Sequence, residues 1–350
     1  MIRVLIVDDS ATARTVISDA LSKDPEIEIV GTAPDAYIAR DKIVQLKPDV
    51  ICLDVEMPRM DGISFLRKLM KHFPIPVLMV SSLTQKGAQV TLDALEAGAI
   101  DYVAKPHSYI YDGIADIEKE LITKVKMVAS SNLSARIKQK EARKEGAITV
   151  KPVYSLAETT NKIIAIGAST GGTVALTDLL KTFPKNMPGT VIVQHMPVGF
   201  TKSFADRLNE LCDVDVKEAE DGDIISKGRV LIAPGDVHMV VRREGGNYKI
   251  KIGTGEKVSG HRPSVDVLFN SVAKQAGANA IGVILTGMGS DGAKGMLAMK
   301  NSGAINIAQD ERSSVVWGMP RVAVEIGATN YVEPIDKITN KVIQVLNREL

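Results

Sequence analysis

Two sets of residues in this chain have the types and spacing that chemistry needs. The first is acidic. Asp8-Asp9 closes the apolar run Val4–Val7, Asp54 closes Val50–Leu53, Ser81 follows Val77–Val80, and Lys105 comes shortly after Tyr102-Val103. Each stands at the end of a short β-branched stretch, so a parallel sheet would deliver all of them to one edge. Three carboxylates meeting there repel one another unless a cation lies among them, and hard oxygen donors with open positions suit hexacoordinate Mg²⁺. An ion over Asp8, Asp9 and Asp54 would make Asp54 the natural nucleophile toward a phosphoryl group. Lys105 would balance the remaining negative charge, and the Ser81 hydroxyl would bond a phosphoryl oxygen. The plain alternative keeps Asp8 and Asp9 as caps of a helix starting near Ala11, and Lys105 as an ordinary ion pair.

The second set centres on a serine. Gly167-Ala168-Ser169-Thr170-Gly171-Gly172 lies between a strand-like and a helix-like segment and spells G-x-S-x-G. A sharp turn of that kind exposes the hydroxyl, and the helix start behind it offers backbone donors and positive potential to an oxyanion. Ser169 needs a base, and the chain has five histidines: His72, His107, His195, His238 and His261. His195 ends the next strand-like run, Val191–Gln194, and so reaches the same sheet edge. Asp291, in Thr286–Gly292, meets the same condition for the third group. The order Ser169, His195, Asp291 is not the Ser, acid, His order of α/β-hydrolases, so that analogy fails. Plain readings remain for each: a tight turn, a core histidine and a helix N-cap. A rival reading takes Gly287–Gly292 as the dinucleotide fingerprint G-x-G-x-x-G with Asp310 beyond it. Against it, the Asp291 carboxylate would sit where a pyrophosphate must bind, and Ser169 and His195 would be left unexplained.

Both sets need elements to position them. From residue 2 onward, β-branched runs alternate with helix-length amphipathic segments, at Val4–Val7, Ile27–Val30, Val50–Leu53, Val77–Val80 and Tyr102-Val103, with a closing helix over 108–130. A second series follows at Ile163–Ile166, Thr190–Val193, Arg229–Ile232, Ala280–Leu285 and Ala304–Ala308, with helices over Val174–Lys181 and Lys294–Lys300. Near-continuous apolar strands between helices predict parallel sheets covered on both faces. Val237–Ile252 instead reads as an inserted β-hairpin around Gly245-Gly246. The division this predicts is a first domain over 1–125, a basic linker over 126–160 and a second domain over 161–350. Charge follows it: 13 Lys/Arg against 19 Asp/Glu over 1–123, then 8 against 2 over 124–151. The linker, poor in large apolar residues, is expected to be flexible or partly helical.

Several classes are excluded on this reading. The two cysteines, Cys52 and Cys212, lack the spacing of a zinc site or a disulfide framework. No run reaches the ~20 apolar residues that span a bilayer, and Met1-Ile2-Arg3 leads into a strand without a signal-peptide pattern, so a cytoplasmic protein is expected. A transcription regulator with a DNA-binding linker is disfavoured by the near-balanced charge of residues 152–350 and the lack of a helix-turn-helix pattern.

The residues also resemble known families. VDDS at 7–10, LDVEMPRMDG at 53–62, VSS at 80–82 and YVAKP at 102–106 resemble the receiver domain of bacterial response regulators. GASTGG at 167–172, QHMP at 194–197, APGDVHM at 233–239, HRPSVDVLF at 261–269 and TGMGSDGA at 286–293 resemble the catalytic domain of the chemotaxis protein-glutamate methylesterases. The resemblance implies an α/β architecture of two doubly wound parallel-sheet domains, a flavodoxin-like receiver and a Rossmann-like esterase domain carrying the hairpin. In the receiver it implies Asp54 as phosphoacceptor, Asp8 and Asp9 as the magnesium pair, and Ser81 as switch hydroxyl. Tyr102 would be the switch aromatic, Lys105 the phosphoryl contact, and Lys105-Pro106 a cis bond. In the esterase it implies the triad Ser169, His195 and Asp291, the Met288 amide as oxyanion donor, and Thr170 as an active-site neighbour. Mg²⁺ would serve receiver phosphorylation, and the esterase step would need no cofactor. Implied partners are methyl-accepting chemoreceptors as substrate and a chemotaxis histidine kinase as phosphodonor. Neither nucleic acid nor membrane insertion is implied, and a monomer is expected. The unphosphorylated receiver would cover the esterase cleft.

Overall fold

The computed structural model describes residues 1–81, 85–105, 114–133 and 161–348. The chain forms two compact units, Met1–Leu133 and Ser134–Leu350. The 134–160 stretch of the linker and the Lys105-Pro106 bond lie outside the described residues.

In the first unit, β1 (Ile2–Val7), β2 (Ile27–Ala33), β3 (Val50–Asp54), β4 (Val77–Ser81) and β5 (Asp101–Ala104) form one parallel sheet in the order β2-β1-β3-β4-β5. β3 and β4 are buried at every residue, as strands covered on both faces must be, whereas edge strand β2 is largely half-exposed. Helices α1 (Ala11–Leu21), α2 (Ala36–Leu46), α3 (Gly62–His72), α4 (Gln85–Ala97) and α5 (Ile114–Ala129) alternate with the strands, α1 packing on α5 and α3 on α4. Their starts carry side-chain caps at Ser10, Asp35 and Asp61, each accepting a backbone amide of the first turn. The strand order reverses between β1 and β3, the two strands that end in Asp8 and Asp54, which is where doubly wound sheets open a crevice.

The second unit repeats the plan with β6 (Ile163–Ala168), β7 (Gly189–Gln194), β8 (Asp215–Glu218), β9 (Arg229–Ile232), β12 (Ala280–Ile284), β13 (Ile305–Gln309) and β14 (Tyr331–Glu333). They form a parallel sheet in the order β14-β13-β12-β6-β7-β9-β8. Between β9 and β12 the chain forms the antiparallel hairpin β10 (His238–Glu244) and β11 (Asn247–Gly253). Gly245 and Gly246 both have positive φ, 57° and 89°, which the tight hairpin turn requires. Of the helices, α6 (Gly172–Leu180) packs against α7 (Phe200–Leu211) and α11 (Ile335–Arg348). α8 (Val265–Gln275), α9 (Ala293–Asn301) and α10 (Met319–Glu325) pack in succession on one another. One core joins Ile163, Val191 and Leu231 of the sheet, Leu268 and Phe269 of α8, Met296 and Met299 of α9, and Met239 and Val241 of the hairpin.

Each apolar run predicted from sequence corresponds to a strand, usually one to three residues longer than the run, although Leu285 lies just past β12 and Ala304 just before β13. β8 and β14 were not among them: both are edge strands, and neither has more than one buried residue. Among the described residues no helix is long and apolar enough to cross a membrane.

Candidate active site

Ser169, His195 and Asp291 follow β6, β7 and β12, three neighbouring strands with β6 in the middle. Parallel register therefore brings histidine and aspartate to the serine from opposite sides. The turn after β6 is tight: the Ser169 amide donates to the Thr286 carbonyl at 3.0 Å, and the Gly172 amide donates to the Ser169 carbonyl at 2.7 Å. Gly171, at φ 75°, precedes α6 without a side-chain cap, leaving the helix start directed at the turn. Behind it, the buried Gln194 amide donates to the carbonyls of Ser169 and His195 at 3.0 and 3.1 Å, tying β7 to the turn.

His195 Nδ1 lies 3.1 Å from Ser169 Oγ, and Nε2 lies 2.8 Å from Asp291 Oδ2. A carboxylate at Nε2 selects the Nε2–H tautomer, so Nδ1 is the free base facing the hydroxyl. Asp291 is buried and fully engaged. Its Oδ1 accepts from Ser264 Oγ at 2.8 Å and the Asp266 amide at 3.0 Å, and its Oδ2 also accepts from the Val265 amide at 2.7 Å. These donors are the N-cap and first turn of α8, whose dipole favours an anion. Burial works to raise the Asp291 carboxyl, but the His195 bond, the His195 charge and the α8 amides outweigh it and hold the group below the ordinary carboxylate range.

The N-cap reading of Asp291 is thus corrected: Gly292 caps α9, and the carboxylate serves α8. Asp266 accepts the α9 amide of Gly295 at 2.7 Å. The dinucleotide reading fits poorly as well, because Asp310 binds the amide and hydroxyl of Ser313 in its own loop. In the loop after β12, Gly287 gives its amide to Val316 and accepts the amides of Gly318 and Met319, whereas the Met288 amide takes no part in these bonds. Thr170 is buried, its carbonyl accepting from Thr286 Oγ1 at 2.9 Å.

Three residues at this site were not singled out by sequence reasoning: Gln194, Ser264 and His261, whose ring stacks on His195. Ser264 carried a usable signal, since a serine before Val265-Asp266 and an apolar run marks a helix start. The other two contacts are purely tertiary.

In the first unit, ligand oxygens of Asp8, Asp9 and Asp54 all lie within 4.8 Å of one another. Lys105 Nζ is 2.9 Å from Asp8 Oδ2 and 2.7 Å from Asp54 Oδ2. The ammonium thus pairs with both carboxylates, and among the described residues neither oxygen accepts a further hydrogen bond. Buried, incompletely satisfied carboxylate oxygens beside an exposed third carboxylate form a donor set that fits a hard divalent cation such as Mg²⁺. Burial pushes the Asp54 carboxyl up to about 6 against the pull of Lys105. The capping alternative for Asp8 and Asp9 is corrected, because Ser10 caps α1 and Asp8 Oδ1 accepts the Ser10 amide at 2.9 Å. Ser81, at the end of β4, is buried, with its Oγ 2.8 Å from Thr91 Oγ1. Tyr102 is buried in β5, with Lys124 Nζ over its ring at 5.1 Å.

The chain is similar to known proteins along nearly its whole length. Residues 4–110 match the response regulator receiver domain family, and residues 164–342 match the CheB methylesterase family. The protein-glutamate methylesterase/protein-glutamine glutaminase of Sulfurimonas denitrificans is 75% identical over 99% of both chains. That of Syntrophotalea carbinolica is 55% identical over 99% of this chain and 98% of its own. The crystal structure of the Thermotoga maritima CheB methylesterase catalytic domain, 43% identical, covers 53% of this chain and 99% of its own with a TM-score of 0.52. On these matches the chain belongs to the protein-glutamate methylesterase/protein-glutamine glutaminase family, with a receiver domain ahead of its methylesterase domain.

Proposed function

We propose that the second unit hydrolyses glutamyl γ-methyl esters and deamidates specific glutamines on chemoreceptors, under control of phosphorylation at Asp54, as part of adaptation in bacterial chemotaxis. The observation that carries this reading is the unbroken contact path from Ser169 Oγ through both His195 nitrogens to Asp291. His195 Nδ1 takes the Ser169 proton as Oγ attacks the ester carbonyl carbon, and the carbonyl electron pair moves onto oxygen. The Met288 amide, uncommitted within its loop, is proposed as a donor to that oxyanion, with Thr170 alongside. The tetrahedral adduct collapses, methoxide leaves with the proton from His195 as methanol, and a glutamyl-Ser169 ester remains. Water, deprotonated by the same nitrogen, attacks that ester and frees glutamate and Ser169. A glutamine amide follows the same route with ammonia as the leaving group. Asp291 holds the ring and stabilises the imidazolium without taking a proton. No cofactor enters this sequence.

In the receiver, Asp8, Asp9 and Asp54 would hold Mg²⁺, which when bound supplies positive charge against the acceptor carboxylate and the incoming phosphoryl group. Asp54 is the acceptor. Lys105, already held between Asp8 and Asp54, would turn its charge to the phosphoryl oxygens, and Ser81 would move from Thr91 to bond one of them. Tyr102 is proposed as the aromatic that shifts with Ser81. A histidine kinase is the proposed donor, the protein acting as a cytoplasmic monomer without nucleic acid or membrane insertion. The test is methanol release from methylated receptor membranes, with and without a small-molecule phosphodonor. The reading expects release that the phosphodonor raises, and loss of that increase in Asp54→Asn. No release under either condition would contradict it.

A further inference from the structure

The segment from His261 to Asp266 touches both partners of Ser169. Its far end supplies the Ser264 hydroxyl and the Val265 and Asp266 amides that hold Asp291. Its near end lays the His261 ring flat on His195, with centroids 3.7 Å apart and planes inclined by 13°. The Asp291 bond fixes one ring nitrogen of His195 but leaves the ring free to pivot about that contact. The 3.1 Å contact to Ser169 involves a hydroxyl that rotates, so it restrains the ring weakly. A flat surface against the ring supplies the missing restraint on its plane.

His261 is itself carried on a built loop. Its amide and carbonyl pair reciprocally with Val258 at 2.9 and 3.1 Å, closing a turn in which Ser259 and Gly260 have φ of 54° and 80°. The next residue anchors that turn. Arg262 Nε and Nη2 donate to Asp236 Oδ1 at 2.9 and 2.6 Å, Nη1 donates to the Gly255 carbonyl at 2.6 Å, and the Arg262 carbonyl accepts the Asp236 amide at 3.1 Å. This is far more anchorage than a surface turn requires, and it places one imidazole against another.

We infer that His261 is a positioning residue for His195: its stacked ring keeps the base in the plane where Nδ1 faces Ser169 while Nε2 faces Asp291. The inference rests on the reading of Ser169, His195 and Asp291 as the reacting set, and His261 acts on it through its stack on His195. A flat ring is what matters, so shape separates this role from simple space-filling.

The test compares full-length His261→Ala, His261→Leu, His261→Phe and Ser169→Ala in methanol release, with folding checked by circular dichroism. His261→Ala is expected to lower kcat roughly 10- to 100-fold, the scale of a misplaced reacting group, with KM within about 2-fold. His261→Phe, which keeps a flat ring, should return most of kcat, whereas His261→Leu, apolar but not flat, should not. Should the Ala variant fail to fold, the comparison of Phe with Leu still decides. Wild-type kcat in His261→Ala, or equal recovery by Leu and Phe, overturns the inference while leaving the triad reading intact. Activity retained in Ser169→Ala overturns both.

Discussion

Asp291 Oδ2 accepts the His195 ring N–H at 2.8 Å and, on the same atom, the Val265 amide at 2.7 Å. The carboxylate is therefore fixed to the start of α8 before it meets the imidazole, and it presents one oxygen in one direction. Base orientation in this unit depends on the helix terminus at Ser264–Asp266, nearly a hundred residues from the nucleophile Ser169 in sequence.

Asp291→Asn keeps the shape but lets an amide N–H face Nε2, which favours the opposite tautomer and removes the free pair at Nδ1. The expected loss in kcat is roughly 10³- to 10⁴-fold, on the scale of the equivalent change in serine proteases. Steady-state methanol release checks it, and a loss under about 10-fold would be too small for this role.

The same residue sets a pH dependence of stability. Its folded carboxyl lies below the unfolded value of 3.8, so its contribution is fully present above that value and is lost as pH falls through the folded one. The chain has a single tryptophan, Trp317, whose indole N–H donates to the Gln309 carbonyl in the second unit, so its fluorescence follows that unit. The urea midpoint read this way should fall as pH is lowered below about 4, and fall less in Asp291→Asn. Equal slopes in the two proteins would count against the linkage.

Gly287 lies where the loop after β12 crosses the serine turn. A Cβ there would come within 2.4 Å of Met319 Sδ and 2.8 Å of Ser169 Cβ. Gly287→Ala must therefore displace the serine or the loop carrying Met288. The expected cost is about 1–3 kcal/mol in urea unfolding, with a fall in kcat at saturating substrate. Unchanged kcat would mean that the loop relaxes away from the chemistry.

Much of this arrangement was legible in the sequence, for a physical reason. Strands buried on both faces must be apolar throughout, so Ile163–Ile166 and Val191–Val193 stood out, and the polar residues that follow them had to lie at one sheet edge. Edge strands lack that constraint, and Asp215–Glu218 and Tyr331–Glu333 passed unnoticed. The acid's identity was legible from its strand end, but its anchoring was not. Ser264, Val265 and Asp266 reach Asp291 only because α8 packs on α9, and His261 meets His195 only because Arg262 fastens its loop to Asp236. Such contacts leave no periodicity behind.

In the receiver, Lys105 is the cation between two buried carboxylates. Removing one partner of a fully buried pair costs about 3–5 kcal/mol, and the partial exposure of this lysine brings the expectation for Lys105→Met down to about 2 kcal/mol. Millimolar Mg²⁺ should recover part of that loss if Asp8, Asp9 and Asp54 hold the ion. Thermal unfolding with and without Mg²⁺ checks both points, and a variant indifferent to Mg²⁺ would speak against the proposed metal ligands.

The most direct test of the whole account is Ser169→Ala in the full-length protein, assayed for methanol release from methylated receptor membranes. The variant should be a folded protein with an unchanged Trp317 signal and no release above the uncatalysed background. Release at the wild-type rate would contradict it, because Ser169 supplies the hydroxyl that contacts His195 Nδ1.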